Sequence, residues 1–149
     1  MIHYTSGDAT EPVVKTGKRV ILHITNDMGA WGRGFVLALS AKWPEPEAAY
    51  RAQKFPNSGV AGTIQVVPVS NDIDVVNMCA QRMWGQHRVR YSLLTQCLYQ
   101  VRKHYGEDES ALSFHLPRIG CGLGGGEWED VAYFLDCELG FHEIYVYDL

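Results

Sequence analysis

Two glycine-rich segments, each lying between an apolar run and a stretch of helix-forming residues, constrain the fold of this chain most. Residues 29–35 (GAWGRGF) follow the apolar run 19–25, and residues 120–126 (GCGLGGG) follow the run 112–117. Glycine lets the backbone adopt positive φ and approach a ligand closely. A glycine loop that opens a helix also presents free N–H groups and the positive end of the helix dipole, which suits an anion. Two such loops predict a clamp for a phosphate-rich ligand such as a nucleotide.

The periodicity of the chain predicts strands that alternate with helices. We expect strands at 2–5, 19–25, 63–67, 74–78, 111–116 and 143–147, and helices at 35–39, 47–54, 91–105 and 127–138. The run VILHI at 20–24 is almost continuously apolar, which is typical of a strand covered on both faces. This alternation predicts a three-layer α/β/α sandwich with a mixed, largely parallel central sheet. Ligands in such folds bind beyond the carboxyl ends of strands, where both glycine loops lie.

Composition sets the broad class of the protein. A length of 149 residues predicts one domain over residues 1–149, and a net charge of −4 predicts no non-specific binding to nucleic acid. No apolar run approaches the ~20 residues that span a bilayer, and the first residues lack the features of a signal peptide, so we expect no membrane partner and a cytoplasmic location. The four cysteines form no C-x-x-C pair. We therefore expect free thiols and no metal site. No cofactor is expected either.

Several polar and aromatic residues flank the first glycine loop, and each has two interpretations. Asp8 is either a turn cap or an acceptor for an adenine amino group. His23 is either a core histidine or an acid–base group, and Asn26 and Asp27 either form the turn or bind sugar hydroxyls. Trp31 lies between glycines, where a large exposed aromatic is costly, so it covers a ligand or packs on a neighbour.

The second loop matches the G-x-G-x-x-G pattern of dinucleotide-binding proteins at residues 120–125. That pattern normally opens a Rossmann domain, whereas here only one helix and one strand follow it, so a Rossmann fold is disfavoured. No Gly-Lys-Ser/Thr follows either loop, which excludes a P-loop NTPase. The simple alternative is that the loops are tight turns without a ligand. Within the second loop, Cys121 has no neighbouring base in sequence and is interpreted as a small wall residue.

Taken together, these segments resemble the macrodomain family of ADP-ribose-binding proteins over nearly the whole chain. The resemblance rests on GDA at residues 7–9, on Asn26 followed by the segment 29–35, and on PRIGCGL at residues 117–123. The order and spacing of the three segments are specific, whereas any one of them alone is not. The likeness is greatest to the branch that holds ADP-ribose 1″-phosphate phosphatases and terminal ADP-ribose protein glycohydrolases.

The resemblance implies a place for each segment around the ligand. Asp8 is expected at the adenine amino group and Asn26 at the distal ribose. The first loop is expected to line the diphosphate and distal ribose, and the second to wrap the other side of the diphosphate. The ligand-binding residues expected on this basis are Asp8, Ala9, Asn26, Gly29, Ala30, Trp31, Gly32, Arg33, Gly34, Phe35, Gly120, Cys121, Gly122, Leu123 and Gly124.

One departure from the glycohydrolases bears on the reaction. Those enzymes have a nucleophilic lysine after the middle strand and an aspartate after Gly-Cys-Gly-Leu, whereas this chain has Gln81 near the first place and Gly124 at the second. A Schiff-base nucleophile needs an amine, so that mechanism is not expected here. The first hypothesis is a hydrolase of ADP-ribose 1″-phosphate or of an ADP-ribosyl adduct on protein or nucleic acid, with His23 and Asp27 as acid–base candidates. A non-catalytic ADP-ribose reader is the second alternative, and a Rossmann-type NAD-binding protein is the third.

Overall fold

A central β-sheet organises the protein, whose computed structural model describes residues 1–82, 89–107, 112–121 and 125–149. The strands are β1 (Ile2–Ser6), β2 (Lys18–Asn26), β3 (Ile64–Pro68), β4 (Ile73–Gln81), β5 (Leu112–Pro117) and β6 (Glu143–Asp148). The α-helices are α1 (Phe35–Lys42), α2 (Glu45–Arg51), α3 (Tyr91–Tyr105) and α4 (Trp128–Leu139). The strand order is β1-β6-β5-β2-β4-β3, and β3 runs antiparallel to β4 whereas the other pairs are parallel.

Both faces of the sheet are covered, because successive residues of a strand point to opposite sides. Val20 and Leu22 of β2 belong to a core cluster that includes residues of α3 and α4. Ile21, between them, belongs to a second cluster with residues of α1 and α2. The expected three-layer α/β/α sandwich with a mixed, largely parallel sheet is confirmed.

The helix boundaries differ from the sequence prediction where proline is involved. Helix α2 was expected at 47–54 but spans Glu45–Arg51, because Pro46 fits inside the first turn, where its missing N–H is not needed. Helix α1 ends at Lys42, and the next residue, Trp43, has the extended backbone that is favoured before a proline. Helix α3 has the predicted bounds.

The sheet opens between β2 and β5 at their carboxyl ends. Pairing of these strands ends at Ile21 and His115, although β2 continues to Asn26 and β5 to Pro117. On its other side β2 stays paired with β4 up to Asn26 and Gln81, with an irregularity in register after Thr25. The gap beside β5 leaves room for a ligand at the edge where both glycine loops begin.

Three further features concern membranes, thiols and metals. None of the helices in the described ranges is long and apolar enough to cross a bilayer. The four cysteines are free thiols. Within the same ranges, no group of three His, Cys, Asp or Glu side chains is placed to hold a metal ion.

Candidate functional site

Two adjoining cavities lie at the carboxyl ends of β2 and β5, and Gly34, Phe35 and Pro117 line both of them. We call them the apolar cavity, of about 320 Å³, and the loop cavity, of about 310 Å³. The apolar cavity is lined by Gly7, Asp8, Ala9, Gly34, Phe35, Ala38, Pro117, Tyr147 and Leu149. The loop cavity is lined by His23, Ile24, Arg33, Gly34, Phe35, Val36, Gln81, Pro117, Arg118, Ile119, Gly120 and Cys121. The two cavities adjoin at these three shared wall residues, and we refer to them together as the cleft.

A carboxylate stands in the wall of the apolar cavity. Oδ1 of Asp8 accepts a hydrogen bond from the backbone N–H of Thr10 at 2.8 Å. The carbonyl oxygen of Asp8 accepts from the N–H of Glu11 at 2.9 Å. These two bonds hold the turn, so the carboxylate has a fixed place beside otherwise apolar wall residues.

The first glycine loop leads into helix α1, whose first residues line the cleft. Gly34 has φ 76° and ψ −142°, a conformation that side chains disfavour, and the helix begins at the next residue. Among the residues that the structure describes, no side chain caps this end of α1. Its first N–H groups and the positive end of its dipole are therefore available to an anion in the cleft.

Asn26 holds the first loop in shape. Its Oδ1 accepts hydrogen bonds from the backbone N–H groups of Met28 and Ala30, at 3.0 and 3.1 Å. Its Nδ2 donates to the carbonyl oxygen of Ala30 at 2.8 Å, and the hydroxyl of Tyr50 lies 2.8 Å from its Oδ1. The amide group is thus engaged by the loop and by α2.

Trp31 anchors the same loop to the helices behind it. The side chain is only 5% exposed, and its ring lies 5.1 Å from that of Tyr50. The indole Nε1 donates to Oγ of Ser40 at 2.8 Å, and that hydroxyl donates in turn to Oε1 of Glu47 at 2.8 Å. Of the two interpretations of Trp31, the structure shows packing on neighbouring residues.

The second glycine loop closes on itself by a backbone bond. The N–H of Gly126 donates to the carbonyl oxygen of Gly120 at 2.6 Å. A Cβ added at Gly126 would lie 2.6 Å from that oxygen and 2.9 Å from Cγ1 of Val89, so no larger residue fits without a shift. Burial raises the pKa of the Cys121 thiol, which keeps it protonated and fits a wall residue rather than a nucleophile. The expected ligand residues Gly122, Leu123 and Gly124 lie outside the described residues.

His23 lines the loop cavity but is only 2% exposed. Its Nε2 lies 2.5 Å from Oδ1 of Asn77. Burial lowers its pKa to about 4, partly offset by the bond to Asn77, so the ring is neutral at pH 7. It can accept a proton or a hydrogen bond there, but it does not act as an imidazolium.

The other acid–base candidate, Asp27, lines neither cavity. It is 1% exposed, and its Oδ2 lies 3.9 Å from Nη1 of Arg82. Its carbonyl oxygen accepts from the N–H of Asn57 at 3.0 Å, which ties the loop after β2 to a later turn. These contacts tie Asp27 to the loop, and an acid–base role for Asp27 stays a prediction.

Comparison with known proteins places the chain in a family. No family model matches the chain. A macrodomain protein from Streptomyces coelicolor is 42% identical in sequence and superposes with a TM-score of 0.84, over 100% of this chain and 99% of that one. The chain belongs to the macrodomain family.

Other similarities of this macrodomain are more distant. An ADP-ribose 1″-phosphate phosphatase from Candida albicans is 26% identical over 140 residues, which cover 87% of the macrodomain and 88% of that protein. A mouse chromodomain-helicase-DNA-binding protein 1-like is 28% identical over 136 residues, but the match covers 15% of its length. A DarTG structure from Thermosipho africanus, determined in complex with ADP-ribose, shares the fold at 18% identity and a TM-score of 0.66, over 86% of this chain and 37% of that one.

The macrodomain brings part of the expected site together in the cleft. The expected residues that line it are Asp8, Ala9, His23, Arg33, Gly34, Phe35, Gly120 and Cys121. The expected residues that line neither cavity are Asn26, Asp27, Gly29, Ala30, Trp31 and Gly32. Asn26 and Trp31 instead build the loop from behind, through the bonds described above.

Sequence reasoning missed several wall residues of the macrodomain cleft. Pro117 and Arg118 lie inside the motif 117–123 and were within reach of the sequence. Tyr147 carries no motif, and only the pairing of β6 with β5 brings it to the cleft edge. Gln81, which the resemblance placed near the position of the glycohydrolase lysine, reaches the edge through the pairing of β4 with β2. Arg118 is held by a bidentate contact with Asp148, at 2.6 and 3.0 Å.

Proposed function

We propose that this macrodomain binds ADP-ribose in the cleft, with adenosine in the apolar cavity and the diphosphate and distal ribose in the loop cavity. The observation that carries the proposal is that the two cavities adjoin, with Gly34, Phe35 and Pro117 in the walls of both. Their shared wall joins a carboxylate at Asp8 to the uncapped start of α1. A carboxylate suits an exocyclic amine, and a helix start suits a diphosphate.

Size and charge support this orientation. Each cavity, at about 310 or 320 Å³, lies at the lower end of the range for small-molecule sites, and the two together suit a dinucleotide-sized ligand. Arg33 and Arg118 both line the loop cavity, which favours the phosphate end there. The DarTG complex with ADP-ribose is consistent with the same ligand class.

We further propose that the macrodomain hydrolyses an ADP-ribose derivative with a leaving group on the distal ribose, either a 1″-phosphate or an ADP-ribosyl adduct. Water attacks, the bond to the leaving group breaks, and the proton of the water goes to the departing group. Fixed backbone N–H groups and the orientation of the sugar provide most of the rate. The phosphatase from Candida albicans, matched over 88% of its length, supports this reaction class.

A non-catalytic reader is the second candidate, and one observation favours it. Gln81 lines the loop cavity near the place where the glycohydrolases of the family have a lysine. An amide cannot form a Schiff base with the sugar. A reader would bind ADP-ribose tightly and leave every derivative intact.

Two experiments separate the candidates. The first is calorimetric titration of the protein with ADP-ribose. The second is product analysis after incubation with ADP-ribose 1″-phosphate and with ADP-ribosylated protein and nucleic acid. Heat with turnover supports the hydrolase, and heat without turnover on any substrate replaces it with the reader. No heat overturns both, and tighter binding of NAD than of ADP-ribose would mean that the macrodomain prefers the intact dinucleotide.

A matched pair of variants locates the binding site. Ala38 on α1 lines the apolar cavity, whereas its neighbour Leu37 is 55% exposed. Ala38→Phe is expected to fill the cavity and abolish binding, and Leu37→Phe is expected to leave it unchanged. Equal affinities for the two variants would place adenosine elsewhere.

A further inference from the structure

A chain of side-chain hydrogen bonds runs from helix α2 through β3 and β4 to His23, and its direction is set by main-chain carbonyls. Nε2 of Gln65 donates to the carbonyl oxygen of Ala49 at 2.9 Å. A carbonyl oxygen can only accept a hydrogen bond. Oε1 of Gln65 therefore faces the other way. It accepts from Nδ2 of Asn77 at 3.1 Å, and the same Nδ2 donates to the carbonyl oxygen of Pro46 at 3.0 Å.

The orientation of Asn77 determines the tautomer of His23. With Nδ2 committed to two acceptors, Oδ1 of Asn77 is the atom that faces Nε2 of His23, at 2.5 Å. An amide oxygen only accepts, so Nε2 carries the hydrogen. A neutral imidazole has one N–H, and burial keeps the ring neutral at pH 7 by lowering its pKa to about 4. Nδ1 is then an acceptor with a lone pair.

This acceptor is a buried atom on the side of the ring away from β4. Asn77 belongs to β4, which flanks β2 on the side away from β5 and the gap. Nδ1 is the ring nitrogen turned away from Asn77, and His23 is one of the residues that line the loop cavity. The residue is 2% exposed, and among the described residues Nδ1 has no hydrogen-bond partner. Buried polar atoms nearly always pair, so the site fits a donor supplied by a ligand.

We propose that Nδ1 of His23 accepts a hydrogen bond from a hydroxyl group of the distal ribose, and that Asn77 and Gln65 are positioning residues that hold His23 in the Nε2–H tautomer. The identity of the ligand rests on the proposed function, but the tautomer does not. Ionised phosphate oxygens carry no hydrogen and are repelled by this lone pair. His23 thus favours the sugar end of the ligand over the phosphate end at this position.

The first experiment reads the tautomer of His23 in the ligand-free protein. Nitrogen-15 NMR of the imidazole ring distinguishes a protonated from an unprotonated nitrogen. We expect Nε2 protonated and Nδ1 bare. A ring protonated at Nδ1 overturns the proposal, whether or not the macrodomain binds ADP-ribose.

The second experiment changes Asn77 and follows the affinity for ADP-ribose with pH. Asn77→Asp puts a carboxylate beside Nε2, which raises the pKa of His23 and favours a ring with hydrogens on both nitrogens. Such a ring cannot accept, so we expect about tenfold weaker binding on the acid side of the raised pKa, recovering as pH rises through it. The unaltered protein is expected to bind equally from about pH 6 to 8, because its His23 stays neutral there. A pH-independent loss would mean a merely structural role and would overturn the proposal.

Two further variants serve as a matched control and as an independent test. Asn71→Asp makes the same amide-to-carboxylate change at an exposed residue before β4 and should leave the pH profile unchanged. His23→Phe keeps a ring of similar volume without nitrogens, and it should bind about tenfold more weakly even if Asn77→Asp fails to fold. Unchanged affinity in His23→Phe overturns the proposal. If the unaltered protein gives no heat with ADP-ribose, the proposed function fails, and the NMR experiment still decides the tautomer.

Discussion

The hydroxyl of Tyr50 lies 2.8 Å from Oδ1 of Asn26 and 2.9 Å from its carbonyl oxygen, and this contact ties helix α2 to the first glycine loop. Tyr50 is completely buried. Burial raises its pKa, so the hydroxyl keeps the proton that it donates. Helix α2 thus shapes the cleft through Asn26, although none of its residues lines either cavity.

Tyr50→Phe removes this tie without changing the packing of the ring. We expect a loss of about 1 kcal/mol in the free energy of unfolding, because Asn26 loses one bond, and weaker binding of ADP-ribose, because the loop loses its anchor. Urea unfolding and calorimetric titration measure the two effects. Tyr133→Phe, at a residue 66% exposed on α4, is the matched control and should change neither. Unaltered affinity in Tyr50→Phe would show that the loop keeps its shape without α2.

Gly34→Ala and Gly32→Ala test whether glycine is needed at position 34 for its backbone conformation or for lack of space around a side chain. A Cβ at either position meets no atom within 4 Å, but only Gly34 has positive φ. We expect Gly34→Ala to cost about 1–3 kcal/mol of stability and to displace the start of α1, which weakens ligand binding. Gly32→Ala should lie close to the unaltered protein in thermal unfolding. Similar melting temperatures for both variants would refute a conformational requirement at Gly34.

Asp8→Asn tests the place assigned to adenine. The asparagine oxygen can still accept from the N–H of Thr10, so the turn is expected to survive. The second carboxylate oxygen becomes an NH₂ donor, which no longer accepts from an exocyclic amine. We expect affinity for ADP-ribose to fall by about tenfold and affinity for the inosine analogue, which has a carbonyl there, to rise. Parallel losses for both ligands would mean that Asp8 only shapes the turn.

Stability is expected to fall in mild acid because of two buried histidines. Burial lowers the pKa of both His23 and His115 from 6.5 to about 4, and for His115 the charges of Arg19 and Lys15 add to the effect. Between those values the unfolded chain binds protons that the folded protein does not, so the free energy of unfolding decreases as pH falls from about 6.5 to about 4. Each histidine contributes up to about 3 kcal/mol to this decrease.

Chemical denaturation across this pH range checks the two contributions. His23→Phe should remove one of them and flatten the dependence of stability on pH. His104→Gln, at an exposed position on α3, should leave the dependence unchanged. A slope that is the same in His23→Phe and in the unaltered protein would contradict the burial of His23 as its cause.

The sequence predicted the elements better than the site. Helix α3 has its predicted bounds because its apolar residues recur at helical spacing, a local property. The strand β2 was predicted from the nearly continuous apolar run 20–24, which is also a local property. The site was only partly predictable, because Asn26 and Trp31 lie in the loop motif but use their side chains to hold the loop from behind.

The sequence by itself determined where the backbone can turn and where α1 can begin, because positive φ at Gly34 and Gly120 is a local requirement that glycine meets best. It also determined the layered fold, through the alternation of apolar strands and amphipathic helices. Only the tertiary structure decided which side chains face the cleft. Gln81 reaches it, and Asn77 orients His23, because β4 pairs with β2 across more than fifty residues of sequence. Such pairing depends on packing of the whole sheet, and no local pattern encodes it.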